Sequence, residues 1–111
     1  MLYWSKEFMS KVIPNKLSIK KRKELKRLLF IKITKLKNIQ EVKDFFEDLL
    51  TESEFVMIIR RLEIAKLLLD ELPYWQIRQE LGVGYDTIKL VRNKLVNGAG
   101  GYERFIRELK A

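Results

Sequence analysis

The chain has 111 residues, 47% of them hydrophobic and 34% charged, with a formal net charge of +8, which is typical of one folded basic domain rather than a disordered chain. Cysteine and histidine are absent, which excludes disulfides, thiolate or imidazole metal ligands and histidine acid–base chemistry, so we expect no cofactor, no metal site and no enzymatic activity. No apolar run approaches the ~20 residues that span a bilayer, and the lack of cysteine is compatible with a reducing cytoplasm, where we expect the protein to act without a membrane partner.

The first long helix is predicted to follow an N-terminal arm or short helix at residues 1–15. Ser18 fits the N-cap of this helix, which should run to about Leu36. Its apolar residues recur at the i, i+3 and i+4 spacing of a buried stripe. They are Leu25, Leu28, Leu29, Ile33 and Leu36.

The same segment carries the whole basic excess of the chain. Between Lys16 and Lys37 there are ten basic residues against Glu24 alone, whereas the rest of the chain has 13 basic and 14 acidic residues. Such a block indicates a polyanionic partner, either nucleic acid or a membrane surface, although it also occurs on solvated helix faces.

Two capping patterns predict the next two helices. An N-x-x-E pattern at Asn38 opens a helix that ends at about Leu50, and a T-x-x-E box at Thr51 opens a long helix over about 52–70. The apolar residues of the long helix fall on one stripe, which indicates core or dimer interface rather than a cofactor site. They are Phe55, Ile58, Ile59, Leu62, Ala65, Leu68 and Leu69.

A helix-turn-helix is predicted over residues 73–96. Pro73 fits the first turn of its first helix, which ends at Leu81-Gly82, and Gly84 precedes the second helix, Tyr85–Val96. Apolar residues face one another across the pair, with Val83 in the turn: Ile77, Leu81, Ile88, Val91 and Leu95.

After this pair, the string from Asn97 to Gly101 ends the second helix. A last helix over about 102–110 is predicted to carry Phe105, Ile106 and Leu109 inward.

The outward side of the helix-turn-helix supplies the predicted DNA contacts. The second helix of this motif places its N-terminal part against base edges in the major groove. Tyr85, Asp86 and Lys89 are therefore candidates for base contacts, since lysine donates to guanine and aspartate accepts from cytosine. Thr87 and Arg78 suit phosphates, which fix register. The full predicted set is Arg78, Gly84, Tyr85, Asp86, Thr87, Lys89, Arg92 and Asn93.

One of these residues departs from the motif. Its fifth position usually holds a small side chain, and Arg78 occupies it. We expect that either the two helices splay apart or the Arg78 side chain extends outward along its stem.

Four segments together resemble the Trp repressor superfamily, and its YerC/YecD-type branch most of all. They lie within the 58 residues from Phe45 to Tyr102 and read FFEDLLTESE, RRLEIAKLLLDELPYWQI, GVGYDTIKLV and NGAGGY. The resemblance implies an all-α fold of five to six helices that forms an intertwined homodimer. It also implies binding to double-stranded DNA at half-sites ~34 Å apart and a role in transcriptional control.

The co-repressor site of the family transfers only in part. Trp repressor holds the indole of tryptophan between two arginines, and a glycine beside the second arginine leaves room. The resemblance places Arg60 at the first arginine, Leu90 at the second and Val91 at the glycine. This implies a protein that does not use tryptophan as co-repressor, and the sequence identifies no other effector. The favoured interpretation of Arg60 is a structural one, in which it forms a surface or interface ion pair with Glu63 or Glu54.

Taken as domains, residues 1–37 form an arm and basic helix within the dimer body, and residues 38–111 form the domain that carries the helix-turn-helix. The function predicted is a sequence-specific DNA-binding transcriptional regulator. One alternative is a non-specific or architectural nucleic-acid-binding protein, which would bind all DNA alike with a steep dependence on salt. Another is a helical protein-interaction module, in which acidic residues of the second helix neutralise the basic one.

Overall fold

The computed structural model describes residues 17–108, and the predicted arm at residues 1–15 lies outside them. The described chain is helical and has no β-strand. Its elements are α1 (Ile19–Ile33), α2 (Ile39–Leu49), α3 (Glu52–Leu69), α4 (Tyr74–Leu81), α5 (Tyr85–Asn97) and α6 (Gly101–Glu103), which continues as a π-helical turn (Arg104–Glu108). The all-α prediction of five to six helices is confirmed.

Residue contacts divide the chain into two units, the first ending at Phe46 and the second beginning at Glu47. A functional division after residue 37 stays a prediction. Within residues 17–108, no helix is long and apolar enough to cross a membrane.

Local side-chain hydrogen bonds begin the first three helices as the sequence predicts. The backbone N–H of Lys21 donates to Ser18 Oγ at 3.1 Å, and that of Glu41 donates to Asn38 Oδ1 at 2.9 Å. At α3 the capping box is complete, because the Glu54 N–H donates to Thr51 Oγ1 and the Thr51 N–H donates to Glu54 Oε1. These hydrogen bonds from Thr51, the backbone one first, hold the pKa of the Glu54 carboxyl below its ordinary value.

Pro73 stands one position earlier than predicted. It is the N-cap of α4, which begins at Tyr74, and it makes no side-chain cap hydrogen bond. Its ψ of 155° is extended, so the first helical dihedrals belong to Tyr74.

The core of the second unit lies among α3, α4 and α5. Its buried residues are Ile64, Ala65, Ile77, Val83, Ile88 and Val91, and Leu81, Leu95, Tyr102 and Ile106 pack against them half-buried. The predicted facing residues of the helix-turn-helix are therefore confirmed. Ile64, which is fully buried, is absent from the predicted stripe of α3, because that stripe followed the longer run of apolar residues on a neighbouring side.

The apolar stripe of α1 differs from the prediction. No residue of α1 is buried within the chain, and Leu25 and Leu28 are each 43% exposed. On α3, Ile58 and Ile59 are also exposed, although the prediction gave them either to the core or to a dimer interface. Periodicity identifies the apolar side of a helix, but it does not say which surface covers that side.

The end of α3 is a Schellman motif, which the sequence did not reveal. The Leu72 N–H donates to the Leu67 carbonyl at 3.1 Å, and the Glu71 N–H donates to the Leu68 carbonyl at 3.0 Å. Glu71 has a φ of 65°, a left-handed conformation that usually selects glycine at this position.

The last helix corrects the prediction that Phe105 faces inward. Phe105 is 56% exposed, whereas Tyr102 and Ile106 pack against the core. The backbone changes from α to π at Arg104, and a π turn holds more residues than the 3.6 on which the prediction relied. Arg107 ties this turn to α3 by donating to the Leu69 carbonyl at 2.9 Å. The predicted inward residue Leu109 lies outside the described residues.

Candidate DNA-reading surface

The turn between α4 and α5 is built on one left-handed residue and one buried plug. Gly82 ends α4 with a φ of 64°, and its N–H donates to the Arg78 carbonyl at 2.9 Å. A residue with a Cβ is strained at this φ, which explains a glycine here. Val83 is 6% exposed and packs into the core, so the turn is held by burial as well as by the backbone.

The second helix of the motif packs against the core with one side and exposes the other side to solvent. Ile88 and Val91 are buried in the core, whereas Tyr85, Lys89 and Arg92 are exposed. Positions 85, 89, 92 and 93 are spaced i, i+4, i+7 and i+8 and so share one side of a helix. The structure therefore brings four of the eight predicted contacts onto one open side of α5.

One further predicted residue, Asp86, borders this side, and Asn93 on it has a polar partner. Asp86 is exposed beside Lys89, and it stands in the first turn of α5, where a carboxylate is favoured by the helix dipole. The Asn93 amide oxygen accepts a hydrogen bond from the Asn97 amide at 2.8 Å. The face that results is polar and carries more positive than negative charge. We name it the reading face: Tyr85, Asp86, Lys89, Arg92 and Asn93.

Arg78 extends outward and meets the first residue of the reading face. Its Cζ lies 4.8 Å from the centroid of the Tyr85 ring, a cation–π contact between α4 and α5. The Tyr85 ring also lies 6.5 Å from the ring of Tyr74. Of the two predicted outcomes for Arg78, the structure has the outward one, and the buried Ile77 and Ile88 keep α4 and α5 packed together.

Another aromatic side chain stands on the same short helix. Trp75 is 62% exposed, and it lies one helical turn before Arg78. The predicted residue Gly84 is the N-cap of α5. It is exposed and makes no side-chain cap hydrogen bond.

Thr87 lies outside the reading face, in a cleft that it shares with the predicted residue Gly84. It is half-buried, and it lines a cleft of about 270 Å³ with Gly82, Gly84, Arg60, Arg61 and Leu90. The sequence resemblance placed Arg60 and Leu90 at the co-repressor site, and both line this cleft. Arg61 lines it too and was missed, although the adjacent arginine pair was a visible signal.

Arg60 and Val91 are the other two residues of this region for which the sequence suggested a role. No ion pair joins Arg60 to Glu54 or Glu63 in the described chain, since the Glu54 carboxylate accepts from the Thr51 backbone instead. Val91 is 1% exposed and belongs to the core rather than to the cleft beside Thr87.

A second, larger groove is lined by residues of α3, α5 and the last helix. It has a volume of about 620 Å³ and is mostly apolar, with Leu62, Leu90, Tyr102 and Phe105 among its lining residues. Gly98 forms part of its wall, where a Cβ would collide with the Lys94 carbonyl oxygen. This close approach accounts for the first glycine of the GAGGY string.

No group of three or more carboxylates converges as a metal site within residues 17–108.

Comparisons with known proteins agree with this architecture. Residues 23–110 match the family described as Trp repressor protein. The chain is 36% identical over 88 residues to the uncharacterised protein YerC of Bacillus subtilis strain 168, an alignment that covers 79% of this chain and 84% of YerC. A solved structure of a TrpR-like protein from Eubacterium eligens ATCC 27750 is similar with a TM-score of 0.67 and 35% identity, covering 74% of this chain and 84% of that one. The resemblance seen in the sequence is confirmed, and this chain belongs to the Trp repressor family.

Proposed function

We propose that this protein is a sequence-specific regulator of transcription that binds double-stranded DNA through the reading face. The observation that carries the proposal is the two-sided character of α5. Ile88 and Val91 lock one side into the core, whereas the opposite side is exposed, polar and cationic. A helix held in this way can enter the major groove without being reorganised.

The residues of the reading face have different proposed roles. Asp86 and Lys89 lie in the N-terminal half of α5, from which base edges are read, and Tyr85 begins that half. Arg92 and Asn93 lie further along the same side, within reach of the sugar-phosphate backbone. Arg78 and Gly84 approach phosphates from the turn, where Gly84 leaves the backbone open. Thr87 contributes from the edge of the cleft.

Selection of bound sequences from a random pool of duplex DNA tests this function directly. We expect a palindromic preferred site that is bound at least ~10³-fold more tightly than bulk DNA. Lys89→Ala and Asp86→Ala should each relax the preference at one position, whereas the exposed Lys66→Ala on α3 is the matched control and should leave it unchanged. Equal binding to all duplexes would contradict a regulator and favour an architectural protein.

We infer that the protein acts as a homodimer. The groove lined by Leu62, Leu90, Tyr102 and Phe105 is open and mostly apolar in the single chain, and apolar residues of α1 and α3 are also exposed. Surfaces of this kind are typical of protein interfaces, and a palindromic site requires two reading faces related by two-fold symmetry.

Sedimentation equilibrium tests the dimer. Wild-type protein is expected at twice the chain mass, and Phe105→Glu should shift it to the monomer because a carboxylate then enters the apolar groove. Trp75→Glu is the matched control, since Trp75 is similarly exposed but lies outside the groove. A dimer that survives Phe105→Glu would contradict the role of the groove.

We propose further that tryptophan is not the co-repressor. Both guanidinium groups that line the cleft beside Thr87 come from α3, as Arg60 and Arg61, and α5 offers Leu90 opposite them. Two arginines on one helix do not provide the sandwich that the family uses for the indole. Calorimetric titration with L-tryptophan should show no micromolar binding. Micromolar binding that also tightens DNA affinity would refute this proposal.

In this proposal the protein acts on DNA in the cytoplasm, and we assign it no catalytic residue.

A further inference from the structure

The most strongly charged surface of the described chain lies outside the reading face. Helix α1 contains seven basic residues and one acidic residue, and every residue of it from Ile19 to Phe30 is exposed. Lys20, Lys23 and Arg27 follow one another at i, i+3 and i+7, which places them along one side of the helix over about 10 Å. We name these three residues the basic stripe.

Little within the described part of the chain neutralises this helix. Among residues 17–108, Lys21–Glu24 is the one ion pair that α1 makes, and it is a surface pair at 3.9 Å with side chains 55% and 62% exposed. Pairs of this kind are weak. Within the described residues, the positive charge of the basic stripe is therefore exposed and largely uncompensated.

The position of the cations is also unfavourable for the helix itself. The N-terminal end of a helix carries a partial positive charge that favours acidic residues. The first turn of α1 has no acidic residue and contains Lys20 and Lys21, followed at once by Arg22 and Lys23. An arrangement that opposes the helix dipole indicates a requirement other than the stability of the isolated helix.

A bound polyanion satisfies that requirement, and duplex DNA fits better than a lipid surface. The cations from Lys20 to Lys23 are consecutive and surround a full helical turn. The exposed apolar residues that follow, such as Leu25 and Leu28, belong to the inferred dimer interface, so α1 has no apolar face left for a bilayer. Helices that bind membranes need such a face. Phosphates of duplex DNA need only cations within reach, and their binding releases counterions.

We propose that the basic stripe of α1 is a second, sequence-independent phosphate-binding surface for duplex DNA. It supplies affinity and salt dependence, while the reading face supplies sequence preference. The inference rests on DNA being the partner, but it does not require that the protein prefer particular sequences.

The test uses the full chain and a 30-bp duplex of random sequence. Binding is measured by fluorescence anisotropy over a range of NaCl concentrations. In the triple variant Lys20→Gln, Lys23→Gln, Arg27→Gln, we expect affinity at low salt to fall at least ~10-fold. The slope of log K against log salt should become shallower by up to ~2.7, which is about 0.9 for each phosphate that the variant no longer neutralises.

A control variant with the same change in net charge separates a local effect from a general one. Lys43→Gln, Lys66→Gln, Arg104→Gln replaces three exposed cations on α2, α3 and the last helix, and it should change the slope by less than ~1. Circular dichroism should show equal helix content in both variants. Equal losses of affinity in the two variants, or an unchanged slope in the α1 variant, would overturn the proposal.

The remaining outcomes are also decisive. If wild-type protein and the α1 variant bind the random duplex equally well, the phosphate-binding role of the basic stripe is refuted, whereas the proposed DNA function is not. If wild-type protein binds no duplex at all but binds vesicles of anionic phospholipid, both proposals fall.

A separate observation concerns Tyr85, whose ring lies under the Arg78 guanidinium at 4.8 Å. A tyrosine that reads a base needs its hydroxyl, whereas a tyrosine that holds an arginine needs only its ring. The ring is further supported by Tyr74 at 6.5 Å. We infer that Tyr85 is a positioning residue, which fixes the Arg78 guanidinium at the turn where it meets a phosphate. This inference also rests on DNA being the partner.

Paired substitutions distinguish the ring from the hydroxyl. Tyr85→Phe keeps the ring, and we expect affinity for the selected duplex within twofold of wild type with the same preferred site. Tyr85→Leu should weaken binding about 3- to 10-fold. In a protein that already has Arg78→Gln, Tyr85→Leu should have no further effect, because both residues act through the same contact. A changed preferred site in Tyr85→Phe, or additive effects in the double variant, would overturn the inference. Failure of the wild type to bind any duplex would instead count against the DNA function itself.

Discussion

Helix α1 and the helix-turn-helix are both regular, yet they are stabilised differently. The helix-turn-helix shares a core with α3 in which Ile64, Ile77 and Ile88 are fully buried. Helix α1 contains six aliphatic side chains, and none of them is buried within the chain. The difference teaches that an apolar stripe indicates that some surface covers the helix. Which surface does so depends on residues outside that helix.

The largest expected effect is on the buried core that stabilises the helix-turn-helix. Val91 and Val96 stand on the same helix, 1% and 64% exposed respectively. Val91→Ala should lower the free energy of unfolding by about 2 kcal/mol, because it removes buried apolar volume. Val96→Ala should lower it by less than ~0.5 kcal/mol. Urea denaturation followed by circular dichroism measures both, and equal losses of stability would break the contrast.

The two left-handed residues that flank α4 should respond in opposite directions. Gly82 and Glu71 have φ values of 64° and 65°. Gly82→Ala places a Cβ in a strained conformation and should cost ~1 kcal/mol or somewhat more, although the space around it is open. Glu71→Gly relieves the same strain and should raise stability by up to ~1 kcal/mol. Gly84→Ala, at a φ of −80°, is the control and should change stability little. A loss of stability in Glu71→Gly would show that the Schellman geometry does not persist in solution.

Removal of the helix caps sharpens the comparison between the two regions. Thr51→Ala abolishes the reciprocal capping box of α3 and should cost ~1 kcal/mol in thermal or urea unfolding. Ser18→Ala removes one hydrogen bond from a helix that has cations in its first turn and no buried residue in the chain. We expect a smaller loss of stability there, since the end of α1 frays without opening the core. Equal losses would mean that α1 unfolds together with the helix-turn-helix.

The smallest effect is a dependence of stability on pH. The folded-state pKa of Glu54 is lowered, so its contribution to stability is present above the unfolded-state pKa of ~4.3 and is lost as the pH falls through the folded-state value. Glu54→Gln keeps a hydrogen-bond acceptor at the same position and should flatten this part of the profile between about pH 5 and pH 3. If Glu54→Gln loses as much stability as wild type between about pH 5 and pH 3, the acid sensitivity belongs to other carboxyl groups.

The features that the sequence predicted are those decided by nearby residues. The caps at Ser18, Asn38 and Thr51 each involve a side chain and an N–H three residues apart, and the turn at Gly82 depends on one backbone angle. The facing residues Ile77, Ile88 and Val91 followed from helical spacing within one short motif. For the same reason, most of the reading face could be predicted from the sequence.

The features that were missed depend on contacts between distant parts of the chain. Glu71 in a left-handed conformation has no glycine signal, and the π-helical turn that exposes Phe105 is tied to α3 by the Arg107–Leu69 hydrogen bond. Arg61 enters the cleft, and Arg78 lies over Tyr85, only because α3, α4 and α5 pack in one particular way. Sequence spacing along a single helix contains none of this information.

The exposed indole of Trp75 gives the proposed function a spectroscopic signal. The chain has two tryptophans, Trp4 and Trp75, so a Trp4→Phe variant emits from Trp75 alone. An indole that is 62% exposed has the emission spectrum of tryptophan in water. Contact with nucleic acid changes the polarity of its surroundings and quenches its fluorescence. Because Trp75 lies one turn before Arg78, its emission reports the approach of DNA to the turn itself. Stopped-flow fluorescence without an attached dye can therefore resolve association from any slower rearrangement that follows.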